Sequence, residues 1–380
     1  MIKVGLIGVG SMGRYVAGLV KKKSPAVHFS ALYDPDLSST ELAISALNFS
    51  GQICDSVEAV LATDVDWVMI ASWNSQHAAQ SIAAFEAGKH VFCQKPLATN
   101  LEDCLGMRAA WLQSGKQFVI GFTLRYSPHY RRLKSLIQEK AIGEIVSLDF
   151  NETLPFNHGG YILGDWRRLK ENAGSHVLEK CCHDIDIVNW LVDSRASRVA
   201  SFGGLDFFVP ENEHHIKRLG VDQKNRQAYL VRKGEHGLNP FSADKDIVDN
   251  QVVILEYENR VRAAFHMNSN AGLPERRLYI CGTEGTIRSD VLRGTIELQR
   301  TGFETEVEDH STGVIGMHGG GDGVLARELV MAMEGEPLMG SAGIDEGLTA
   351  ATTCFGIDQA MDSRQVVDMS GLWQKVDATA

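Results

Sequence analysis

The sequence predicts an α/β protein of two domains: residues 1–122 as a doubly wound parallel sheet, and residues 123–380 as an α+β domain on an open, mostly antiparallel sheet. Three observations predict it. At 380 residues the chain far exceeds one domain of about 150 residues, so a single core is not expected. Up to about residue 122, short apolar runs alternate with helical patterns, as parallel strands joined by helices require. Beyond it, strand-like runs follow one another at hairpin spacing.

The first-half strands are Lys3–Gly8, Val27–Asp34, Val65–Ser72, His90–Cys93 and Phe118–Gly121. Met12, Tyr15, Val16, Leu19 and Val20 give the first helix an apolar face. Thr99 with Glu102 resembles a capping box, and Gly88 sits where a C-terminal cap belongs. After residue 122, a helix from about Pro128 to Lys140 stops near Gly143, and a buried helix spans about Ser175–Val192. Strand-like runs fall at 145–152, 197–207, 250–258, 261–268, 276–281, 285–289 and 294–300. Glu258-Asn259 and Gly282-Thr283-Glu284-Gly285 mark hairpins. Residues 209–247 read as a polar insertion without a clean period, expected as a loop over a site or an interface. Helices near Val324–Glu334 and Ile344–Asp362 follow.

Lys+Arg 37 against Asp+Glu 48 gives a net charge of −11, which disfavours nucleic acid and anionic membranes as partners. No apolar run approaches the ~18–20 residues of a membrane span. The N-terminus enters a strand at once, without the basic and apolar regions of a secretory signal. Seven cysteines without CxxC spacing indicate neither a disulfide framework nor a zinc ribbon. A cytoplasmic protein with reduced thiols is expected.

Gly8-Val9-Gly10-Ser11-Met12-Gly13 is G-x-G-x-x-G, placed between a strand and a helix with an apolar face. Asp34 follows at the end of the second strand, near the ~20-residue distance of a ribose-binding carboxylate. Gly8 permits the tight turn, Gly10 lets a pyrophosphate approach the backbone, and Gly13 lets helix and strand pack. The helix start favours phosphates. A carboxylate repels a 2′-phosphate and no Arg follows Asp34, so NAD is expected over NADP.

On the predicted helix at Ser175–Val192, His176, Glu179, His183 and Asp186 form a polar stripe against a broad apolar face, with Lys180 at its edge. Ionisable groups on a core helix need partners, because desolvation costs several kcal/mol. Internal ion pairs, a metal site and an acid/base cluster all fit the stripe, though the lysine opposes a cation. Lys95, in Gln94-Lys95-Pro96, sits at the carboxyl end of a parallel strand, where doubly wound sheets hold ligands.

These residues together resemble the glucose–fructose oxidoreductase/inositol dehydrogenase (Gfo/Idh/MocA) family over nearly the whole chain. Ser72-Trp73-Asn74-Ser75-Gln76-His77 is similar to its T-P-N-x-x-H turn, Gln94-Lys95-Pro96 to E-K-P, and Glu179-x-x-x-His183-x-x-Asp186 to D-x-x-x-H-x-x-D. The resemblance implies a Rossmann domain and a second α/β domain. It also implies that Lys95 and His183 are acid/base groups, with Glu179 orienting or relaying. It places Asn74 and His77 at the cofactor, and the expected cofactor set further includes Gly8, Gly10, Ser11, Met12, Gly13, Asp34, Ser72, Trp73, Gln94, Lys95 and Arg125. Gln94 replaces the usual Glu, Trp73 the usual Pro, and Glu179 is one methylene longer than Asp.

The expected substrate-side residues are Lys95, His158, Trp166, Arg167, Glu179, His183 and His318, with Trp166 as a platform for a sugar ring. The expected activity is an NAD-dependent dehydrogenase acting on a secondary alcohol of a sugar, polyol or related compound, without a metal. Its alternatives are an NAD-dependent glycosidase working through transient oxidation and elimination, and a non-enzymatic ligand sensor. A homo-oligomer, dimer or tetramer, is expected because one face of the broad sheet needs a partner.

Overall fold

A computed structural model describes residues 1–225, 228, 237–316, 318–336 and 342–379. The chain clusters into two compact units, Met1–Arg131 with Met317–Ala351 and Lys375–Ala380, and Arg132–Gly316 with Thr352–Gln374.

Within the first unit, β1 (Ile2–Ile7), β2 (Val27–Tyr33), β3 (Gln52–Ile53), β4 (Trp67–Ile70), β5 (His90–Cys93) and β6 (Phe118–Ile120) form a parallel sheet in the order β3-β2-β1-β4-β5-β6. Every residue of β4 and β6 is buried, as in a sheet covered on both faces. All five strands read from the sequence are present. The sixth, β3, is two exposed residues long and too short to give a pattern.

The first helix, Ser11–Lys23, buries Gly13, Val16, Ala17 and Val20, while Met12 and Tyr15 are exposed by 41% and 48%. Those two residues were expected on the apolar face; the buried stripe runs one position over. It packs with Leu325, Leu329 and Val330 of helix Gly321–Met333. Gly88, at φ +70°, closes a Schellman cap: its N–H donates to the Phe85 carbonyl and that of Lys89 to the Ala84 carbonyl, both at 2.9 Å. The capping box expected at Thr99/Glu102 is corrected. Asn100 caps helix Leu101–Ser114, its side chain accepting the Asp103 N–H at 2.9 Å.

In the second unit, the strands are β7 (Ile145–Pro155), β8 (Ala196–Gly204), β9 (Asn250–Tyr257), β10 (Arg262–Ala271), β11 (Arg277–Gly282), β12 (Gly285–Asp290), β13 (Thr295–Arg300), β14 (Val307–Asp309) and β15 (Val367–Asp368). Their order is β14-β13-β12-β11-β7-β10-β9-β8-β15. The β7–β10 pair is parallel and the other pairs are antiparallel. Burial alternates along β9 and β10, leaving one face outward. The Tyr257 hydroxyl donates to Asn189 at 2.9 Å, tying helix Cys182–Val192 to the sheet.

The unbroken helix expected at Ser175–Val192 is two. Helix His176–Glu179 ends at a turn through Lys180 and Cys181, and helix Cys182–Val192 follows. The break falls at Lys180, whose ammonium pairs with buried Glu152 of β7 at 3.1 Å. The described residues of the insertion also carry more than a polar loop. Phe208, Phe241 and Ile247 join Leu154, Ile162 and Leu163 in a small core. Asp249 anchors its start by accepting the N–H groups of Asp206, Phe207 and Phe208 at 3.1, 2.8 and 2.8 Å. Residues 226, 227 and 229–236 of the insertion lie outside the described residues. Strands β14 and β15 and helix Ser370–Asp377 were not read from the sequence. Among the described residues no helix is long and apolar enough to cross a membrane.

Candidate active site

The dinucleotide loop is built by excluded volume. Gly8 has φ +81°, and a Cβ there would lie 2.4 Å from the Ser72 nitrogen. A Cβ on Gly13 would lie 2.3 Å from the Gly8 carbonyl oxygen. Gly10 is the reverse case: nothing lies within 4 Å of its Cβ position. Gly10 also precedes helix Ser11–Lys23, whose start has no side-chain cap and no acidic residue in its first turn. Open space beside Gly10 and uncapped N–H groups suit a pyrophosphate. At the end of β2, Asp34 accepts the Val9 N–H at 2.6 Å and the Asp36 N–H at 2.9 Å, so its carboxylate is fixed beside the loop. These features fit a dinucleotide.

Lys95 follows β5 and is half-buried. His77 is fully buried, with Nδ1 2.8 Å from the Pro96 carbonyl and Nε2 3.3 Å from that of Ser72. Burial pushes its pKa down to about 4, so the ring is neutral and its single N–H serves the closer Pro96 oxygen. His77 therefore links the Ser72 turn to the segment carrying Lys95. The Ser72 hydroxyl donates to Gln80 at 2.6 Å. Asn74 and Gln94 are buried and Trp73 is half-buried. Arg125 is buried in the turn Thr123–Tyr126, and its carbonyl accepts from Arg131 at 3.0 Å. His318, expected on the substrate side, belongs to the first unit. Its Nδ1 lies 3.0 Å from Asp322 at the start of helix Gly321–Met333.

The second unit carries a buried network. Glu179 accepts from Arg167 Nε at 3.0 Å. Arg167 Nη1 donates to the Tyr161 hydroxyl at 2.7 Å and to Asp165 at 2.9 Å. The guanidinium carbon lies 4.2 Å from the Trp166 ring centroid, so one face of the expected sugar platform is covered. Glu152 meets Lys180 at 3.1 Å and Arg276 at 3.3 Å, and Arg276 binds Asp184 through two contacts of 2.7 Å. Burial alone pushes the Glu152 carboxyl up, but Arg276 and Lys180 outweigh it and hold it below the usual range. His158 and His176 are held neutral: burial, with Lys180 nearby, lowers His158 to about 3, and burial lowers His176. His183 and Asp186 are buried on helix Cys182–Val192.

Of the three readings of the polar stripe, ion pairing thus describes Glu179 and Lys180. Glu152, Cys181 and Asp184 bring ligand atoms within 4.8 Å of one another, but Arg276 and Lys180 already neutralise the carboxylates. Burial also pushes the Cys181 thiol far up, away from the thiolate a metal needs. Tyr161, Glu152 and Arg276 were not read from the sequence as site residues. Arg276 is 92 residues from Asp184, and no local pattern joins them.

Residues 2–122 match an oxidoreductase family with an NAD-binding Rossmann fold, and residues 134–369 match that family's C-terminal alpha/beta domain. The inositol 2-dehydrogenase/D-chiro-inositol 3-dehydrogenase of Halalkalibacterium halodurans is 29% identical over 201 residues, covering 52% of this chain and 55% of its own. The 2,7-anhydro-N-acetylneuraminate hydratase of Escherichia coli is 27% identical over 309 residues, covering 80% of this chain and 72% of its own. A solved levoglucosan dehydrogenase, in complex with NADH and levoglucosan, superposes with TM-score 0.79 over 97% of this chain and 99% of that one; at 21% identity this shows the fold. The chain belongs to the Gfo/Idh/MocA oxidoreductase family, with an NAD-binding Rossmann domain followed by the family's C-terminal α/β domain.

Proposed function

We propose that the protein is an NAD-dependent dehydrogenase oxidising a secondary alcohol of a sugar, polyol or related compound. The observation that carries this reading is the cradle of open Gly10 and fixed Asp34 in a chain of this family. NAD supplies the hydride acceptor when bound. Removing hydride from a carbinol carbon also requires loss of the hydroxyl proton, and Lys95 and His183 take that role. Glu179, held by Arg167, is assigned the orienting or relaying role in that chemistry. On the second unit Arg167, Lys180 and Arg276 are each paired with a carboxylate. A neutral, hydroxyl-bearing substrate suits such a site, since an anionic one would compete for paired cations.

The hydratase relative supports a second reading, in which transient oxidation acidifies a neighbouring C–H and permits elimination without net use of NAD. A panel of polyols, sugars, anhydrosugars and aryl glycosides, followed by NADH absorbance, separates the two. Steady NADH accumulation supports the dehydrogenase. Release of an aryl group without NADH supports the second reading, and a panel in which NAD binds but no compound reacts sinks both. A dimer or tetramer is also proposed, because Phe202, Val252 and Ile254 are exposed by 72%, 47% and 50% on the sheet. A monomer in light scattering would refute it.

A further inference from the structure

We propose that Tyr161 is a positioning residue that fixes the Glu179 carboxylate through Arg167. The inference rests on the reading of Glu179 as part of the acid/base machinery. Arg167 Nε donates to Glu179 at 3.0 Å, while Nη1 donates to the Tyr161 hydroxyl at 2.7 Å and to Asp165 at 2.9 Å. The guanidinium carbon also lies 4.2 Å from the Trp166 ring centroid and 5.0 Å from that of Tyr161. Guanidinium N–H groups form a rigid planar fork, so fixing one edge and stacking the plane determines where Nε points.

Tyr161 comes from helix Phe156–Leu163, whereas Asp165 and Glu179 come from other segments, so the guanidinium is held from three places. The tyrosine contribution is of a distinct kind. Asp165 and Glu179 already give this cation two anions, and a third would weaken its pull on Glu179. A neutral hydroxyl orients the fork without adding charge. The turn beneath it is braced by the insertion. Leu238 N–H donates to the Gly164 carbonyl at 2.7 Å, and Arg168 Nε donates to the Asp244 carbonyl at 2.9 Å. Arg167, expected to bind substrate, thus acts inward on Glu179.

The test is a carboxyl ¹³C NMR titration of the full-length protein labelled at glutamate, with the Glu179 signal identified by its loss in Glu179→Gln. In Tyr161→Phe the midpoint moves to higher pH, with a change of about threefold or more in the acid constant, because a loosened cation stabilises the carboxylate less. Arg167→Lys moves it at least as far, since an ammonium keeps the charge but not the fork. On a compound that reduces NAD, Tyr161→Phe lowers kcat about 10–100-fold, the scale for losing an outer positioning partner, with little change in KM. A Glu179 titration unmoved in Tyr161→Phe, or wild-type behaviour in Arg167→Lys, overturns the proposal. A panel on which no compound reacts sinks the dehydrogenase reading instead and leaves the titration to decide the positioning role.

Discussion

The Asp34 carboxylate accepts the backbone N–H of Val9 at 2.6 Å, which fastens the end of β2 to the glycine loop. One side chain therefore shapes the cradle and presents negative charge beside it. This gives a cofactor preference. NAD is expected to bind more tightly than NADP by at least about 1–2 kcal/mol, the scale of an unpaired or repelled polar contact. Asp34→Ser narrows the gap, and it weakens both nucleotides because the Val9 N–H loses its partner. Calorimetric titration of the two nucleotides decides it, and a wild-type preference for NADP defeats the assignment.

Lys95→Met and His183→Asn each remove one proposed proton-transfer group. Turnover is expected to fall by about 10²–10⁴-fold in either, the usual range for general acid/base catalysis. NAD affinity barely moves, because the phosphates and ribose are assigned to Gly8–Gly13 and Asp34. Lys95→Met is the sharper variant, since it keeps the aliphatic volume and deletes the charge. Near-normal turnover in Lys95→Met would end the acid/base reading and favour a ligand sensor.

Chelation is expected to change neither activity nor unfolding temperature. The carboxylates of the Glu152/Cys181/Asp184 group already have Arg276 and Lys180 as counter-charges. A metal entering there would have to displace buried cations. Elemental analysis of purified active protein checks this directly, and stoichiometric zinc would overturn it.

The parallel sheet and the dinucleotide loop were legible because both are local. Strand–loop–helix order, three glycines and one carboxylate sit within a short stretch, and sterics demand Gly8 and Gly13 while Gly10 leaves open space. The polar stripe was visible too, since ionisable groups on an apolar segment stand out. Its partners were not. Arg276 reaches Glu152 because strand pairing sets β11 beside β7, and it reaches Asp184 because helix Cys182–Val192 packs on β7. Tyr161 resembles any aromatic on a short helix until Arg167 is seen on its hydroxyl. The broken helix at Lys180 shows the same limit, because its turn coincides with a tertiary ion pair and not with a glycine or proline.

Asp358 gives a pH-dependent stability prediction. Burial pushes its carboxyl from the usual 3.8 up to about 7, against smaller opposing effects of Ser175 and Lys170 and a small reinforcing one from Asp362. Between those pH values the folded protein holds a proton that the unfolded chain has lost. The folded state binds more protons, so this group's contribution to stability falls as pH rises from about 4 to 7 and is constant above. Asn has the shape of the neutral acid and cannot ionise. Asp358→Asn is therefore expected to unfold in step with wild type near pH 4 and to gain on it as pH rises. The gain reaches a few kcal/mol at about pH 8, since a tenfold change in an acid constant between folded and unfolded chains corresponds to about 1.4 kcal/mol. Urea unfolding across that range measures the difference between the two proteins, which cancels the titration of every other group. A difference that does not vary with pH would mean that Asp358 is ionised in the folded protein throughout.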